Sequence, residues 1–244
     1  MRKFLIAAAL LFASAAPAAD VKVLSTVAMT STLETLSATF EARSGDHLVI
    51  AYATASQLKK RIDEGESFDL CILTASLADE LINSGKASGQ RTDLARSAIG
   101  VAVKAGAPKP DISTPEAFKR AILEAKSLAY TTTGVSGVYF QKLAERLGIA
   151  DAVKSKAHTM AGGAVGELVA RGEAELAIQQ IVELLPVPGI ELVGPFPAEL
   201  QSISVFSAAL SAQAANPAGA KALAAFLTSP DAIATIRLKG MEPG

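Results

Sequence analysis

The sequence predicts an α/β protein with mostly parallel sheets covered by helices. Three observations predict it. Short β-rich runs alternate with stretches of helical spacing almost throughout the chain. Many of the helical stretches carry explicit start and stop residues. The connections are short, with no fixed-period repeat and no low-complexity linker.

The expected strands are residues 22–26, 47–52, 68–73, 100–104, 127–131, 175–181, 190–194 and 204–210, each rich in Val, Ile, Leu or Ala. Between them the spacing changes to that of a helix, as in Leu33, Leu36 and Phe40. Ser31 with Glu34 has the capping-box pattern, while Thr114-Pro115 and Ser229-Pro230 read as an N-cap with proline in the first turn. Gly65, Gly85, Gly148, Gly172 and Gly240 stand where left-handed C-terminal caps are expected. The stretch KAGAPKPDISTP follows a strand and leads into a capped helix, so it reads as a surface connection.

The first eighteen residues have the three parts of a secretory signal peptide. Arg2 and Lys3 begin it, an apolar run of about ten residues follows, and Ala16-Pro17-Ala18 forms a small-x-small cleavage site. The apolar run falls short of the ~20 residues that span a bilayer. An exported, soluble mature chain starting near Ala19 is expected. Losing Arg2 and Lys3 makes a formal charge of −1 more acidic, which argues against nucleic acid as a partner. Cys71 is the only cysteine, so no internal disulfide can form, and FDLCIL reads as a buried strand. His47 and His158 fit no metal-ligand spacing, and no cofactor is expected.

Three enzyme motifs fail on single residues. Gly134-Val135-Ser136-Gly137 nears a nucleophile elbow, but Val138 stands where glycine is needed. AGGAVGEL nears the dinucleotide fingerprint, but its first glycine position is Ala161. Gly85-Lys86 lacks the earlier P-loop glycine, since Glu80 occupies that place. What remains is a set of small, hydroxyl-bearing or glycine-rich junctions where strands pass into helices: residues 25–31, 53–56, 131–137 and 161–163. In an open parallel sheet, ligands bind beyond the carboxyl ends of strands. Helix N-termini there hold anions without any basic side chain. N-capping alone also explains any one such junction.

The order and spacing of VLSTVAMTSTLETLSATFEARSG, ASQLKKRIDEGESFDLCILTA, SGVYFQKLAERLGIADAV, ELVARGEAELAIQQ and AAFLTSPDAIATIRLKGMEP give the chain a family resemblance. It resembles the periplasmic molybdate-binding proteins of ABC importers and their broader group of solute-binding relatives. The resemblance implies a two-lobed, type II-like binding protein with the ligand between the lobes. Lobe one would hold residues 19–99 and 205–244, and lobe two residues 100–204. It also implies a monomer that closes on a small anion, molybdate or another oxyanion first, and then docks on an inner-membrane ABC permease. On this reading the chain is not an enzyme. A small carboxylate or polar solute is the next ligand, and a secreted hydrolase using Ser136 or Cys71 is the alternative from another class.

Position by position, the two oxyanion-binding serines of the family fall on Ala28 and Ala55, with Thr26, Thr54 and Ser56 close by. A helix-start alanine that offers a backbone N–H falls on Ser136, next to Gly137, and a later valine on Gly162. The hinge tyrosine falls on Gln180, beside Gln179. The ligand-binding residues expected are therefore Thr26, Ala28, Thr54, Ala55, Ser56, Ser136, Gly137, Gly162 and Gln180.

Overall fold

A computed structural model of the chain describes residues 19–244, which form two sheets flanked by helices. The signal-peptide expectation lies outside those residues. β1 (Asp20–Thr26) runs through a single 3-10 turn into α1 (Thr30–Ser44), followed by β2 (His47–Ala53), α2 (Ala55–Asp63), β3 (Leu70–Thr74), α3 (Ala75–Asn83) and β4 (Ala87–Ser97). The chain then crosses to the second sheet: β5 (Ile99–Lys104), α4 (Pro115–Glu124), β6 (Leu128–Thr131), α5 (Val135–Arg146), α6 (Ala150–Lys154), β7 (Ala157–Met160), α7 (Gly166–Ala170), β8 (Leu176–Gln180), α8 (Ile181–Leu184) and β9 (Ile190–Pro195). It returns with β10 (Ser204–Ser211), α9 (Pro217–Phe226), α10 (Pro230–Leu238) and β11 (Glu242–Pro243).

The first sheet has the order β11-β4-β10-β3-β1-β2 and the second β7-β6-β8-β5-β9. Parallel pairing joins β1 to β2 and β3, and β6 to β7 and β8. Every antiparallel pair includes β4, β5, β9 or β10, the strands that flank the two crossings. The parallel expectation thus describes the strand–helix–strand units, and the sheets as wholes are mixed. A strand reached directly from the other sheet, with no crossover helix to turn it round, enters antiparallel.

Alternation along the strands covers both faces of each sheet. Val23 packs with Leu33, Phe40 and Leu223 on one face of the first sheet, while the next residue, Leu24, packs with Leu58 and Leu81 on the other. In the second sheet Tyr130 faces Phe118 and Phe140, and Ala129 faces Val165 and Val169. Burying each such large side chain contributes roughly 1.5–3 kcal/mol. Cys71 is fully buried here, and burial pushes its thiol up to about 12, which removes it as a nucleophile.

Helix caps set where the strand-to-helix junctions end. Thr54 forms a complete capping box: its hydroxyl accepts from the Gln57 N–H at 3.3 Å, and the Gln57 side chain accepts from the Thr54 N–H at 3.1 Å. Thr114 and Ser229 cap α4 and α10 as their sequence predicts. Ser31 does not cap. The 3-10 turn Val27–Met29 carries the chain into α1 early, so Ser31 lies inside the helix and Met29 stands at the N-cap without a side-chain bond.

Candidate functional site

The carboxyl ends of β1, β2, β6 and β8 converge on a small cavity between the two sheets. Thr26 ends β1, Thr54 and Ala55 follow β2, Thr131 ends β6, and Gln179 and Gln180 end β8; all line it. Val135 and Ser136, in the first turn of α5, and Glu183, in α8, also line it, with Val27, Gly134, Gly163 and Phe206. The free volume at its centre is about 10 Å³, room for about one water.

The local sequence explains the tight approach of α5 to β6. A Cβ on Gly137 would lie 1.7 Å from the Thr131 carbonyl oxygen, and one on Gly134 would lie 2.2 Å from the Thr131 hydroxyl. Only glycine lets the helix start this close to the strand end. The first turn of α5 has no side-chain cap, so its N–H groups are open to a ligand. Thr131 Oγ1 is buried and has no hydrogen-bond partner. An unpaired buried hydroxyl costs roughly 1–3 kcal/mol, so a cavity-lining one stands ready for a ligand oxygen.

Among the described residues, Glu183 is the only ionisable one lining the cavity. Its side chain keeps partial contact with solvent, yet protein surrounds the carboxyl closely. That desolvation pushes it from 4.5 up to about 7, and the Gln179 amide one turn earlier draws it partly back down. Gln179 is otherwise fixed by the glycine-rich loop: its amide oxygen accepts from the Val165 N–H at 3.2 Å and its nitrogen donates to the Gly163 carbonyl at 2.8 Å.

Gln180 is held by both crossings. With its amide oriented to satisfy both ends, its oxygen accepts from the Ser204 hydroxyl at 2.8 Å and its nitrogen donates to the Ser97 and Ala98 carbonyls at 3.2 Å. Across the cleft, the Thr54 and Thr133 hydroxyls lie 3.1 Å apart, tying α2 to the segment before α5.

Of the residues expected from sequence, Thr26, Thr54, Ala55, Ser136 and Gln180 line this cavity. Ala28 lines an adjoining recess, and Ser56 an open groove elsewhere between the sheets. Gly137 backs onto Thr131, and Gly162 faces the Thr54 methyl, so both act through close backbone approach. The expected ligand-binding residues left out Thr131 and Gly163, although both lie in the junctions the sequence marks, and missed Glu183. Thr131 stood within a junction already singled out, but nothing marked its hydroxyl as unpaired. Glu183 sits in the first turn after a strand, where an acid reads simply as a complement to the helix dipole.

Two lobes, each an α/β sheet, with their strand ends facing a shared cleft define a solute-binding architecture. The chain belongs to the family described as bacterial extracellular solute-binding protein, whose model matches residues 21–242. A Pseudomonas protein named aconitate isomerase is 37% identical over 237 residues, 94% of this chain and 90% of that one. Among solved structures, the periplasmic molybdate-binding protein of Azotobacter vinelandii matches with a TM-score of 0.76 at 20% identity, covering 91% of this chain and 98% of that one. The sulfate-binding protein of Mycobacterium tuberculosis matches at 0.73 and 13%, covering 92% and 87%. These likenesses carry the fold. The expectation that the chain is not an enzyme is corrected by the Pseudomonas relative, which is an enzyme by name and similar along almost the whole chain.

Proposed function

We propose that this protein is an exported isomerase that moves a proton within a small polycarboxylate, aconitate first, with Glu183 as the general base. The observation that carries the reading is Glu183 in the cleft with its carboxyl near 7, beside an uncapped helix start and the unpaired Thr131 hydroxyl. Similarity to the protein named aconitate isomerase supplies the substrate. In aconitate a methylene carbon lies between a carboxylate and a carbon–carbon double bond. A base removes one methylene proton, the electron pair forms a new double bond to the central carbon, and the old double bond shifts onto the far carbon as that carbon takes a proton. Nothing is oxidised or reduced, and the geometry about the double bond is reset.

Each cavity feature serves one part of that step. A base whose proton affinity lies near neutral pH can both take and return a proton. The α5 N–H groups with the Thr131 and Ser136 hydroxyls receive the carboxylate onto which charge spreads during proton removal. A tetrahedral oxyanion is served less well, because Ala28 and Ala55 offer it no hydroxyl. Residues 19–99 with 205–244 form one lobe and 100–204 the other, and the periplasm fits a member of an extracellular family. The test is to incubate purified protein with cis-aconitate and follow trans-aconitate by proton NMR. Glu183→Gln should bind the substrate yet lose about 100- to 10,000-fold in turnover. Binding without conversion by the unaltered protein, or full activity in Glu183→Gln, would overturn the reading.

A further inference from the structure

The closed cavity cannot hold a six-carbon tricarboxylate, since its free volume is about 10 Å³. Against it lies a second recess of about 310 Å³, lined from the first lobe by Val27, Ala28, Thr30 and Ser31 and from the second by Val182 and Pro186. The two spaces share four wall residues: Val27, Gly163, Gln179 and Glu183. Glu183 therefore stands between a polar inner space and a larger, mainly apolar-walled outer one.

We infer that the outer recess is a second substrate subsite, which takes the arm of a polycarboxylate lying beyond the carbon that Glu183 deprotonates. This rests on the isomerase reading of the same cleft. One carboxylate sits inward against Thr131 and Ser136, the reacting carbon passes Glu183, and the remaining carbons lie along Val27, Ala28, Val182 and Pro186. The Thr30 and Ser31 hydroxyls, which cap no helix, offer the outer arm its polar contacts, and exposed Glu34 lines the recess with them. The site so built favours substrates with acidic arms on both sides of an acidic C–H over monocarboxylates, which would fill only the inner space.

Cysteine labelling tests this directly, because Cys71 is buried with its thiol pushed up to about 12 and does not compete. Ser31→Cys places a thiol in the recess, and Ser76→Cys places one in the separate groove that stays open in this closed arrangement, as a control outside the recess. Saturating cis-aconitate should slow alkylation of the Ser31→Cys thiol at least tenfold and leave the Ser76→Cys thiol nearly unaffected. Coupling N-ethylmaleimide to Ser31→Cys in the absence of substrate should then weaken calorimetric binding of cis-aconitate at least tenfold, with the far-ultraviolet circular dichroism unchanged. An unprotected Ser31→Cys thiol, equal protection of both thiols, or unaltered binding after coupling would each overturn the subsite. Failure of the unaltered protein to bind cis-aconitate at all would strike the isomerase reading, and the subsite with it; binding and turnover with no protection would strike the subsite alone.

Discussion

At the scale of single residues, Glu183 gives two pH predictions of opposite sense. As a base it must be ionised, so kcat/KM for the isomerisation should rise with pH through an inflection near 7. Stability goes the other way. The carboxyl binds its proton more tightly in the folded chain (about 7) than at its ordinary value of 4.5. Its stabilising contribution is therefore fully present below 4.5 and is lost as pH rises to about 7. Glu183→Gln should match the parent at pH 4 in urea unfolding and exceed it at pH 8 by on the order of 1–2 kcal/mol. The ceiling is 1.36 kcal/mol per pH unit, and solvent at the partly exposed side chain lowers it. Thr131→Val isolates the unpaired hydroxyl. Removing an unsatisfied group should leave stability equal or higher by about 1 kcal/mol. Ligand affinity should fall about tenfold by calorimetry, and unchanged affinity would remove that hydroxyl from the site.

At the scale of elements, the junctions divide into those whose polar residues hold the fold and those whose residues are free for a ligand. Thr54 closes a capping box, so Thr54→Ala should cost about 1 kcal/mol in thermal or urea unfolding. Ser31 caps nothing, and Ser31→Ala should cost less than about 0.5 kcal/mol. The same contrast shows what the sequence could reveal. The eight apolar strands and the caps at Thr114 and Ser229 were legible because burial and capping each impose a residue type. β4, ASGQRTDLARS, was not, because β10 and β11 supply its hydrogen bonds on both sides while most of its side chains stay partly or fully exposed. β7, AHTM, is an edge strand with half its residues exposed, so no apolar run marks it. In the site, the hydroxyls of Thr26, Thr54 and Ser136 were legible from their junctions. Glu183 was not, since its proton affinity comes from surroundings that only the folded chain assembles.

At the scale of the whole molecule, the cavity's size decides how a ligand reaches it. In this closed arrangement the inner space has room for about one water, so a carboxylate fits only when the lobes settle wider apart around it, and the Thr54–Thr133 contact ties them across the cleft. Entry therefore requires the lobes to part. The two crossings, at Ser97–Ile99 and Ile203–Ser204, are the places where the chain can turn, and Gln180 bonds to both. A ligand that bridges the lobes favours the closed arrangement by its differential affinity. At about 100 times its dissociation constant it should add roughly 2.7 kcal/mol of stability. For a chain of this size that raises Tm by on the order of 5–10 °C. Small-angle scattering should show a smaller radius of gyration with cis-aconitate than without it. Gln180→Ala, which frees both crossings but leaves the inner cavity's hydroxyls in place, should raise the unliganded radius of gyration and weaken binding, while saturating ligand restores the compact value. A calorimetrically saturated protein whose radius of gyration stays at the unliganded value would show that the lobes do not close on their ligand.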